Sequence, residues 1–468
     1  MDRNAYHAPS HQCLNLISIY YVIFLASYCH AFTTSMRPPS RSNPHPRCLV
    51  RSKMRVHMSA PDGADILTRA ESIGKILGYP LTAAVAFRTG AAAAVVGQPH
   101  LPRSLPGPFE NVGSCVTRLP ALSSSVGKYN GVEGGARVRI FYPCQQNSEE
   151  MAPYCTDGLT TSDGMAGLVG FRQLGLSFLL AHLADASSGC FMNAYPLKPP
   201  SEFQQGWPLL VYSHGYGGNM DMATYFFRSL ASVGIVVAAV EHTDGTASTT
   251  IQADGSVLPF SPSLLTGREQ LDRRAQEMII AANAENLPSD LSIDPSAVYL
   301  GGHSYGAPTA LLAAIRRQKQ MRNFKSSIPS LGEEKTVGQV TAGLILHDPA
   351  LGMGYGMLGD VSTTLSDVPI LSYTSDEYNR AGVRCGDLTI HVRGAFHGNF
   401  VDAPLWAPSW VMRPLSALIP AAGPSDPVAV HNALAMSASA FVGSKKAVYG
   451  PEVGVGYSTS TELFELVV

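Results

Sequence analysis

The sequence predicts an α/β fold in which a mostly parallel central sheet is flanked by helices. Three observations support this prediction. Short runs rich in Val, Ile and Leu recur along the chain, as expected for strands buried on both faces. Segments with helical spacing separate these runs, and such alternation is typical of a parallel sheet. Polar residues follow the ends of several strands, at the edge where parallel sheets usually hold their ligands.

The composition is that of a globular chain with a sizeable core. Of the 468 residues, 45% are hydrophobic and 15% are charged, which excludes an intrinsically disordered chain. The net charge is −2 and there is no long basic block, so we expect no nucleic-acid partner. None of the eight cysteines forms a C-x-x-C pair, and we expect no metal site. Cys144 and Cys155 could close a short loop or remain free thiols.

The first 104 residues predict targeting segments. Residues 14–26 form an apolar run that is short for a membrane span and is followed by small residues. This pattern predicts a signal peptide over 1–31 and entry into the secretory pathway, with an uncleaved signal anchor as the alternative. Residues 32–61 are basic, rich in hydroxyl groups and free of Asp and Glu. We therefore expect 32–104 to be a transit-like presequence and linker, and the protein to be secreted or delivered to a plastid.

Residues 105–445 are assigned to one catalytic domain and 446–468 to a C-terminal tail. Strands are predicted at 135–143, 208–213, 235–240, 297–300, 342–346, 369–373 and 388–392, and helices at 221–233, 268–286 and 307–320. The first strand alternates apolar residues with Arg137 and Arg139, which predicts one exposed face. Residues 165–183 are strongly apolar at helical spacing and predict a buried helix, with an exposed lid or membrane-contacting helix as the alternative.

Residues 302–306 read Gly-His-Ser-Tyr-Gly, between an apolar strand and a helical segment. This context is typical of a nucleophile elbow. A serine at such a sharp turn is strained, so its neighbours on both sides must lack bulk. The turn presents the hydroxyl at a helix N-terminus, where backbone N–H groups stabilise negative charge. Ser304 is therefore the candidate nucleophile.

Such a serine needs a histidine to take its proton and an acid to orient that histidine. In α/β-hydrolases these residues follow the order Ser, acid, His along the chain. His397 lies in a loop just past the last predicted strand of the domain and is the candidate base. Asp348 and Asp376 both end strands downstream of Ser304. Their spacing does not decide which of them is the acid.

The oxyanion that develops on an ester needs two preorganised N–H donors. Tyr305 follows the nucleophile and supplies one from its main chain. The glycine-rich turn 214–218 follows an early strand and supplies the other, most simply from Tyr216. His242 and Asp244 suggest a metal site or a second dyad. Because no third ligand lies at suitable spacing, we expect a structural, hydrogen-bonded role for this pair.

Several segments resemble the plasma-type platelet-activating-factor acetylhydrolases, which are calcium-independent serine phospholipases A2. The most specific are Val-Glu-His-Thr-Asp-Gly-Thr-Ala-Ser at 240–248 and Arg-Gly-Ala-Phe-His-Gly-Asn-Phe-Val-Asp at 393–402. The resemblance covers about residues 138–402. It implies the α/β-hydrolase fold, no cofactor, and an acid after the strand that follows the elbow helix, which matches Asp348. It also implies a glycerophospholipid substrate with a short or oxidised sn-2 acyl chain.

We therefore predict a serine carboxylester hydrolase that forms an acyl-enzyme on Ser304. We expect transient contact with a membrane or lipid surface through 165–183, Trp406 and Trp410, with ordinary core packing as the alternative. A general esterase or lipase, or a polyester or galactolipid hydrolase of the same fold, is the rival prediction. Residues 349–356 lack most of the aromatic residues that shape the acyl pocket in the family, which leaves the acyl and headgroup preference open.

Overall fold

The computed structural model describes most of the predicted catalytic domain. The described residues are 101, 107–122, 134–146, 149–203, 205–260, 266–327, 341–386, 388–408, 412, 422–443 and 463–467. The predicted targeting segments over 1–31 and most of 32–104 lie outside them, as does Trp410. In this part of the chain, no helix is both long and apolar enough to cross a membrane.

A single 11-stranded sheet forms the centre of the protein, with a small hairpin beside it. The strands are β1 (Val112–Arg118), β2 (Arg137–Pro143), β3 (Met151–Pro153), β4 (Ser187–Met192), β5 (Trp207–Ser213), β6 (Val236–Glu241), β7 (Thr249–Ile251), β8 (Val257–Pro259), β9 (Ile293–His303), β10 (Thr341–His347), β11 (Ile370–Thr374), β12 (Leu388–Val392) and β13 (Phe464–Val467). The sheet order is β13-β12-β11-β10-β9-β5-β6-β2-β1-β4-β3, and β7 pairs with β8.

The six strands from β12 to β6 in this order are all parallel. Strand β2 runs antiparallel to β6 and β1, β3 runs antiparallel to β4, and β13 runs antiparallel to β12. The predicted mostly parallel sheet is therefore confirmed. The antiparallel strands lie at the two ends of the sheet, so the carboxyl ends of the parallel strands form one continuous edge.

Helices cover both faces of this sheet. They are α1 (Leu159–Leu168), α2 (Thr224–Ala231), α3 (Arg268–Ala281), α4 (Gly306–Ser327), α5 (Val361–Thr364), α6 (Asp376–Arg380) and α7 (Pro427–Gly443). Short 3₁₀ helices occur at Ser177–Leu179, Ala181–Asp185, Ser201–Phe203, Ala284–Asn286, Ser289–Leu291, Leu351–Gly354, His397–Phe400 and Ala403–Leu405. Alternate residues of β5 show the arrangement: Leu209 and Val211 pack with α3 and α4, whereas Leu210 and Tyr212 pack with α2 and α7.

Strand β2 is buried on both faces, so the prediction of an exposed face is wrong. Arg137 donates to Asp157 at 2.6 Å and to Glu241 at about 3 Å. Arg139 donates to Asp221 at 2.6 Å. Burying a charge is costly unless the charge is paired and hydrogen-bonded. The alternation of arginines with apolar residues marks buried ion pairs in β2 and does not mark a solvated face.

Residues 165–183 do not form the predicted single helix. Helix α1 ends at Leu168, and two 3₁₀ helices follow from Ser177 to Asp185. Gly170 and Gly175 between them have φ values of 81° and 69°, in the left-handed region that ends a right-handed helix. The apolar spacing therefore indicates that parts of this segment are buried. It does not indicate one continuous helix, because the two glycines interrupt it.

This segment and Trp406 share a third small core, separate from the two faces of the sheet. Met165, Leu183 and Trp406 are buried there, and Trp406 donates its indole N–H to Tyr154 at 2.8 Å. Trp406 is thus packed in a core, as the alternative prediction held. Leu174 and neighbouring apolar residues of the segment remain partly exposed.

The predicted tail over 446–468 supplies an edge strand. Residues Phe464–Val467 pair with β12, so this part of the tail belongs to the sheet of the catalytic domain. Cys144 and Cys155 are both buried free thiols. The loop that a disulfide between them would close is not formed in this structure.

Candidate active site

Ser304 lies at a sharp turn between β9 and α4, as the pentapeptide predicts. Its φ is 56°, a left-handed conformation that costs energy for any residue with a Cβ. A Cβ on Gly302 would lie 2.4 Å from Gly306, and a Cβ on Gly306 would lie 2.0 Å from the Ser213 carbonyl oxygen. Both approaches are closer than a side chain allows. The two glycines are therefore required by the backbone of the turn itself.

The main chain of Ser304 is tied to the next strand. Its N–H donates to the His347 carbonyl at 2.9 Å, and its carbonyl accepts from the Ala350 N–H at 3.1 Å. The Ser304 hydroxyl oxygen is buried and makes no hydrogen bond with the described residues. It is therefore not joined directly to His397. Hydrogen bonds of catalytic groups are often long without substrate and tighten when it binds.

His397 and Asp348 form a close pair across the carboxyl edge of the sheet. His397 Nδ1 lies 2.5 Å from Asp348 Oδ2, and Asp348 is fully buried while a quarter of the His397 side chain is exposed. The other oxygen of Asp348 accepts from the Ser375 N–H at 2.8 Å. Asp348 follows β10 with a φ of 47°. The backbone N–H of Ser375 thus holds one oxygen of the Asp348 carboxylate, and the other oxygen faces His397.

Three side chains that the sequence analysis missed hold the loop of His397. The His397 N–H donates to Glu377 at 2.8 Å, and the Tyr378 ring stacks on the imidazole with centroids 5.1 Å apart. His303 lies on the imidazole at 4.5 Å and bonds the His397 carbonyl at 3.2 Å. Burial, with His397 nearby, lowers the pKa of His303 well below its usual value, so His303 is neutral near pH 7. Only His303, inside the pentapeptide, carried a signal in the sequence.

Asp376, the other candidate acid, faces a different histidine. Its Oδ1 accepts from His391 Nε2 at 2.9 Å and from the Gly394 N–H at 3.0 Å. Glu465 of β13 holds the other ring nitrogen of His391 at 3.2 Å. The structure therefore brings Asp348 to His397. Asp376 instead binds the Gly394 N–H, at the start of the loop that carries His397.

The predicted oxyanion turn at 214–218 passes directly against the serine. A Cβ on Gly215 would lie 3.1 Å from Ser304 Cβ. The Gly217 N–H donates to the Thr246 carbonyl at 2.7 Å, which fixes the far side of the turn. Tyr305 immediately precedes α4, so its N–H lies at the N-terminus of a 22-residue helix. The structure thus brings the turn that carries Tyr216 next to Ser304, whose neighbour in the chain is Tyr305.

His242 and Asp244 are buried and hydrogen-bonded, as predicted. His242 bridges Ser213 and Glu277, and Asp244 accepts from Thr246. Among the described residues there is no group of three His, Cys, Asp or Glu side chains arranged to hold a metal ion.

The arrangement of strands, elbow and carboxyl-edge loops defines the class of protein, the α/β-hydrolase fold. A ferulic acid esterase from Streptomyces cinnamoneus has a similar structure, with a TM-score of 0.51 and 18% identity over 74% of this chain and 93% of the esterase. At that identity the similarity shows the fold and nothing finer. It confirms the fold class predicted from the sequence.

Sequence comparison shows which family this chain is similar to. Residues 124–279 match the family described as "Platelet-activating factor acetylhydrolase, isoform II". The platelet-activating factor acetylhydrolase of Canis lupus familiaris is 26% identical over 218 residues, which covers 40% of this chain and 48% of the relative. That of Gallus gallus is 28% identical over 219 residues, covering 38% and 50%. These matches show similarity to the platelet-activating factor acetylhydrolases and support the resemblance found in the sequence.

The matches cover part of each protein. The chain spans about half the length of the curated relatives it matches. The segment matched by the family also ends before Ser304. The arrangement of Ser304, Asp348 and His397 is therefore carried by the geometry of this chain.

Proposed function

We propose that this protein is a serine carboxylester hydrolase that acts on glycerophospholipids and releases short or oxidised sn-2 acyl chains. The observation that carries the proposal is the His397–Asp348 pair at the same sheet edge as the strained Ser304. The family comparison supports the phospholipid substrate. A 1-alkyl-2-acetyl glycerophosphocholine is the substrate type that this proposal favours.

The chemistry follows from the roles of the three side chains. Ser304 Oγ attacks the ester carbonyl while His397 Nε2 takes its proton, and Asp348 holds the Nδ1–H and stabilises the imidazolium. The N–H groups of Tyr305 and Tyr216 bind the oxyanion. When the tetrahedral intermediate collapses, His397 returns the proton to the leaving lysophospholipid oxygen. Water then attacks the acyl-enzyme with His397 as base, which releases the free acid and restores the serine.

The compartment and the lipid surface are part of the same proposal. A signal peptide over 1–31 would bring the protein into the secretory pathway, and the transit-like segment would direct it on to a plastid. Partly exposed apolar residues at Leu159, Leu174 and Leu179 support transient contact with a lipid surface, because apolar side chains gain free energy in the interfacial region of a membrane.

The test is a substrate series with the full chain. Phosphatidylcholines with sn-2 chains from acetyl to palmitoyl are compared by kcat/KM, with and without a chelator. We expect the value to fall as the chain lengthens and to be unaffected by the chelator. A preference for long chains or for galactolipids would reject the short-chain assignment and favour a general lipase.

The mechanism is tested separately with Ser304→Ala. Loss of the nucleophile of a triad lowers kcat by about 10⁴-fold or more. Ser296→Ala, at the far end of β9, is the matched control and should retain the activity of the parent protein. Activity retained in Ser304→Ala would reject the proposed mechanism.

A further inference from the structure

A buried chain of polar side chains lies directly behind the oxyanion turn. It consists of Ser213, His242, Arg274 and Glu277, which we call the buried network. Ser213 ends β5, His242 follows β6, and the other two residues lie one turn apart on α3. Each of the four is nearly or completely buried. The proposed reaction assigns none of them a role.

The hydrogen bonds of the buried network run in one direction. Arg274 Nη2 donates to Ser213 Oγ at 3.0 Å, because a guanidinium has no acceptor. His242 Nδ1 donates to the Glu277 carboxylate at 2.7 Å. Because burial lowers the pKa of His242 well below its usual value, the ring is neutral, and its Nε2 accepts the proton of the Ser213 hydroxyl at 2.8 Å. The order resembles a catalytic triad. However, Ser213 is closed to solvent and accepts from a cation, so it is not a second nucleophile.

Arg274 holds the first half of the oxyanion site. It donates to the carbonyl oxygen of His214, at the start of the turn that carries Tyr216. It also donates through Nη1 to Thr246 Oγ1 at 2.5 Å. The carbonyl of Thr246 accepts the Gly217 N–H at 2.7 Å. Arg274 is thus connected to the turn on both sides of Tyr216.

Arg274 also contacts the segment of Tyr305, which supplies the second N–H group of the proposed oxyanion site. Its Nε donates to Thr309 Oγ1 at 3.2 Å, and Thr309 donates in turn to the Tyr305 carbonyl at 2.9 Å. The guanidinium lies over the Tyr305 ring, 4.7 Å from its centroid. One side chain therefore touches both segments whose N–H groups would bind the oxyanion.

Arg274 also faces the buried carboxylate of Asp244, with 4.0 Å between Nη1 and Oδ1, but such an ion pair is weak evidence of stabilisation. Well-packed apolar residues stabilise a core as well as a buried ion pair does, and often better. A planar guanidinium, by contrast, fixes several acceptors at set angles. The acceptors here come from three segments far apart in the chain, at 213–214, 246 and 309.

We propose that Arg274 is a positioning residue that sets the distance and angle between the Tyr216 and Tyr305 N–H groups, and so tunes stabilisation of the oxyanion. This inference rests on the proposed function. Misplacing a catalytic group by about 1 Å can cost about 10²-fold in rate. Loss of one oxyanion donor costs about 10² to 10³-fold in kcat.

The test uses the full chain with p-nitrophenyl acetate, an ester that needs no lipid surface. Arg274→Ala should lower kcat by about 10²-fold, with KM changed by less than about threefold. Millimolar guanidinium ion should restore at least about tenfold of the lost rate, because it refills the site with the same donors. A trifluoromethyl ketone, which forms a tetrahedral adduct on the serine, should bind less tightly by the same factor as kcat falls.

Arg317→Ala is the matched control. Arg317 is also buried, but its Nε and Nη2 make no hydrogen bond with the described residues. This variant should keep the parent kcat and show no response to guanidinium. Guanidinium rescue separates the proposal from general destabilisation, since the ion weakens a merely unstable variant further.

Three outcomes would overturn the inference: an unchanged kcat in Arg274→Ala, a rise in KM alone, or a loss that guanidinium does not restore. If Arg274→Ala does not fold, Arg274→Lys decides, because lysine keeps the charge but not the fork of donors. Parent-like ketone affinity in Arg274→Lys would reject the proposal. A parent protein without activity that depends on Ser304 would instead reject the proposed function.

Discussion

Replacing Asp348 by asparagine should show whether this residue orients the catalytic base. Asp348 accepts from two donors, the Ser375 N–H at 2.8 Å and His397 Nδ1 at 2.5 Å. An asparagine has only one oxygen, and the fixed backbone N–H of Ser375 will hold it. The amide NH₂ must then face His397 and makes Nδ1 an acceptor. The proton moves to Nε2, where the imidazole can no longer accept the proton of Ser304.

The expected loss follows from this change of tautomer. An aspartate-to-asparagine change that leaves the geometry intact lowers kcat by about 10⁴-fold in a serine protease triad. This factor corresponds to about 5 kcal/mol of transition-state stabilisation. Because Asp348 is fully buried, water cannot replace the lost acceptor. We expect a loss of about 10³ to 10⁴-fold in kcat, with little change in KM.

Asp376→Asn is the matched control, because Asp376 also ends a strand and also binds a histidine. Its side chain is 30% exposed and contacts His391 rather than His397. We expect this variant to lose less than about tenfold in kcat. Steady-state kinetics on p-nitrophenyl acetate, with circular dichroism to confirm folding, compare the two. A larger loss in Asp376→Asn than in Asp348→Asn would refute the assignment of the acid.

Three further predictions concern the structure around the site. Gly306→Ala should lower the free energy of unfolding by more than about 3 kcal/mol, since its Cβ would lie 2.0 Å from a backbone oxygen. Gly267→Ala, with no atom closer than 3.4 Å, should cost less than about 1 kcal/mol in the same urea titration. Arg139→Met should lower the free energy of unfolding by about 3 to 5 kcal/mol, because it leaves the buried carboxylate of Asp221 without its cation. A double variant with Asp221→Leu that is no more stable than the single variant would contradict this. Burial raises the pKa of Asp402 from 3.8 to about 8. The protonated carboxyl therefore stabilises the folded protein in acid, and this stabilisation is lost as the pH rises through 8. Between pH 4 and 8, this group should lower the free energy of unfolding of the parent protein by roughly 3 to 5 kcal/mol, and Asp402→Asn should lack that decrease. Equal slopes of this free energy against pH in the two proteins would disprove the prediction.

The sequence predicted those parts of the site that depend on local backbone geometry. Gly302 and Gly306 flank Ser304 because the turn leaves no room for a Cβ at either position. This constraint acts within five residues, so it is visible as a spacing. His397 was predicted from a different signal, its position in a loop after the last predicted strand of the domain.

Other features depend on contacts between groups that are far apart in the sequence. For two of them, the local pattern led to a wrong prediction. The arginines of β2 indicated a solvated face, but Arg137 and Arg139 pair with buried carboxylates on other segments. The apolar spacing of 165–183 indicated one helix, yet Gly170 and Gly175 adopt positive φ values that interrupt it. The edge strand at the C-terminus gained its partner, β12, only in the folded sheet.

By itself, the sequence determined the fold class, which depends on periodicity. It also predicted Ser304 as the nucleophile from steric limits within a few residues, and His397 as the base from its position in a loop. The tertiary structure decided which of the two candidate acids contacts His397. Asp348 and Asp376 follow adjacent parallel strands, and the fold brings one to His397 and the other to His391. It also placed Arg274 between the turn at 214–218 and Tyr305. Contacts between segments this far apart in the chain produce no recognisable local pattern in the sequence, because the segments meet only when the chain folds.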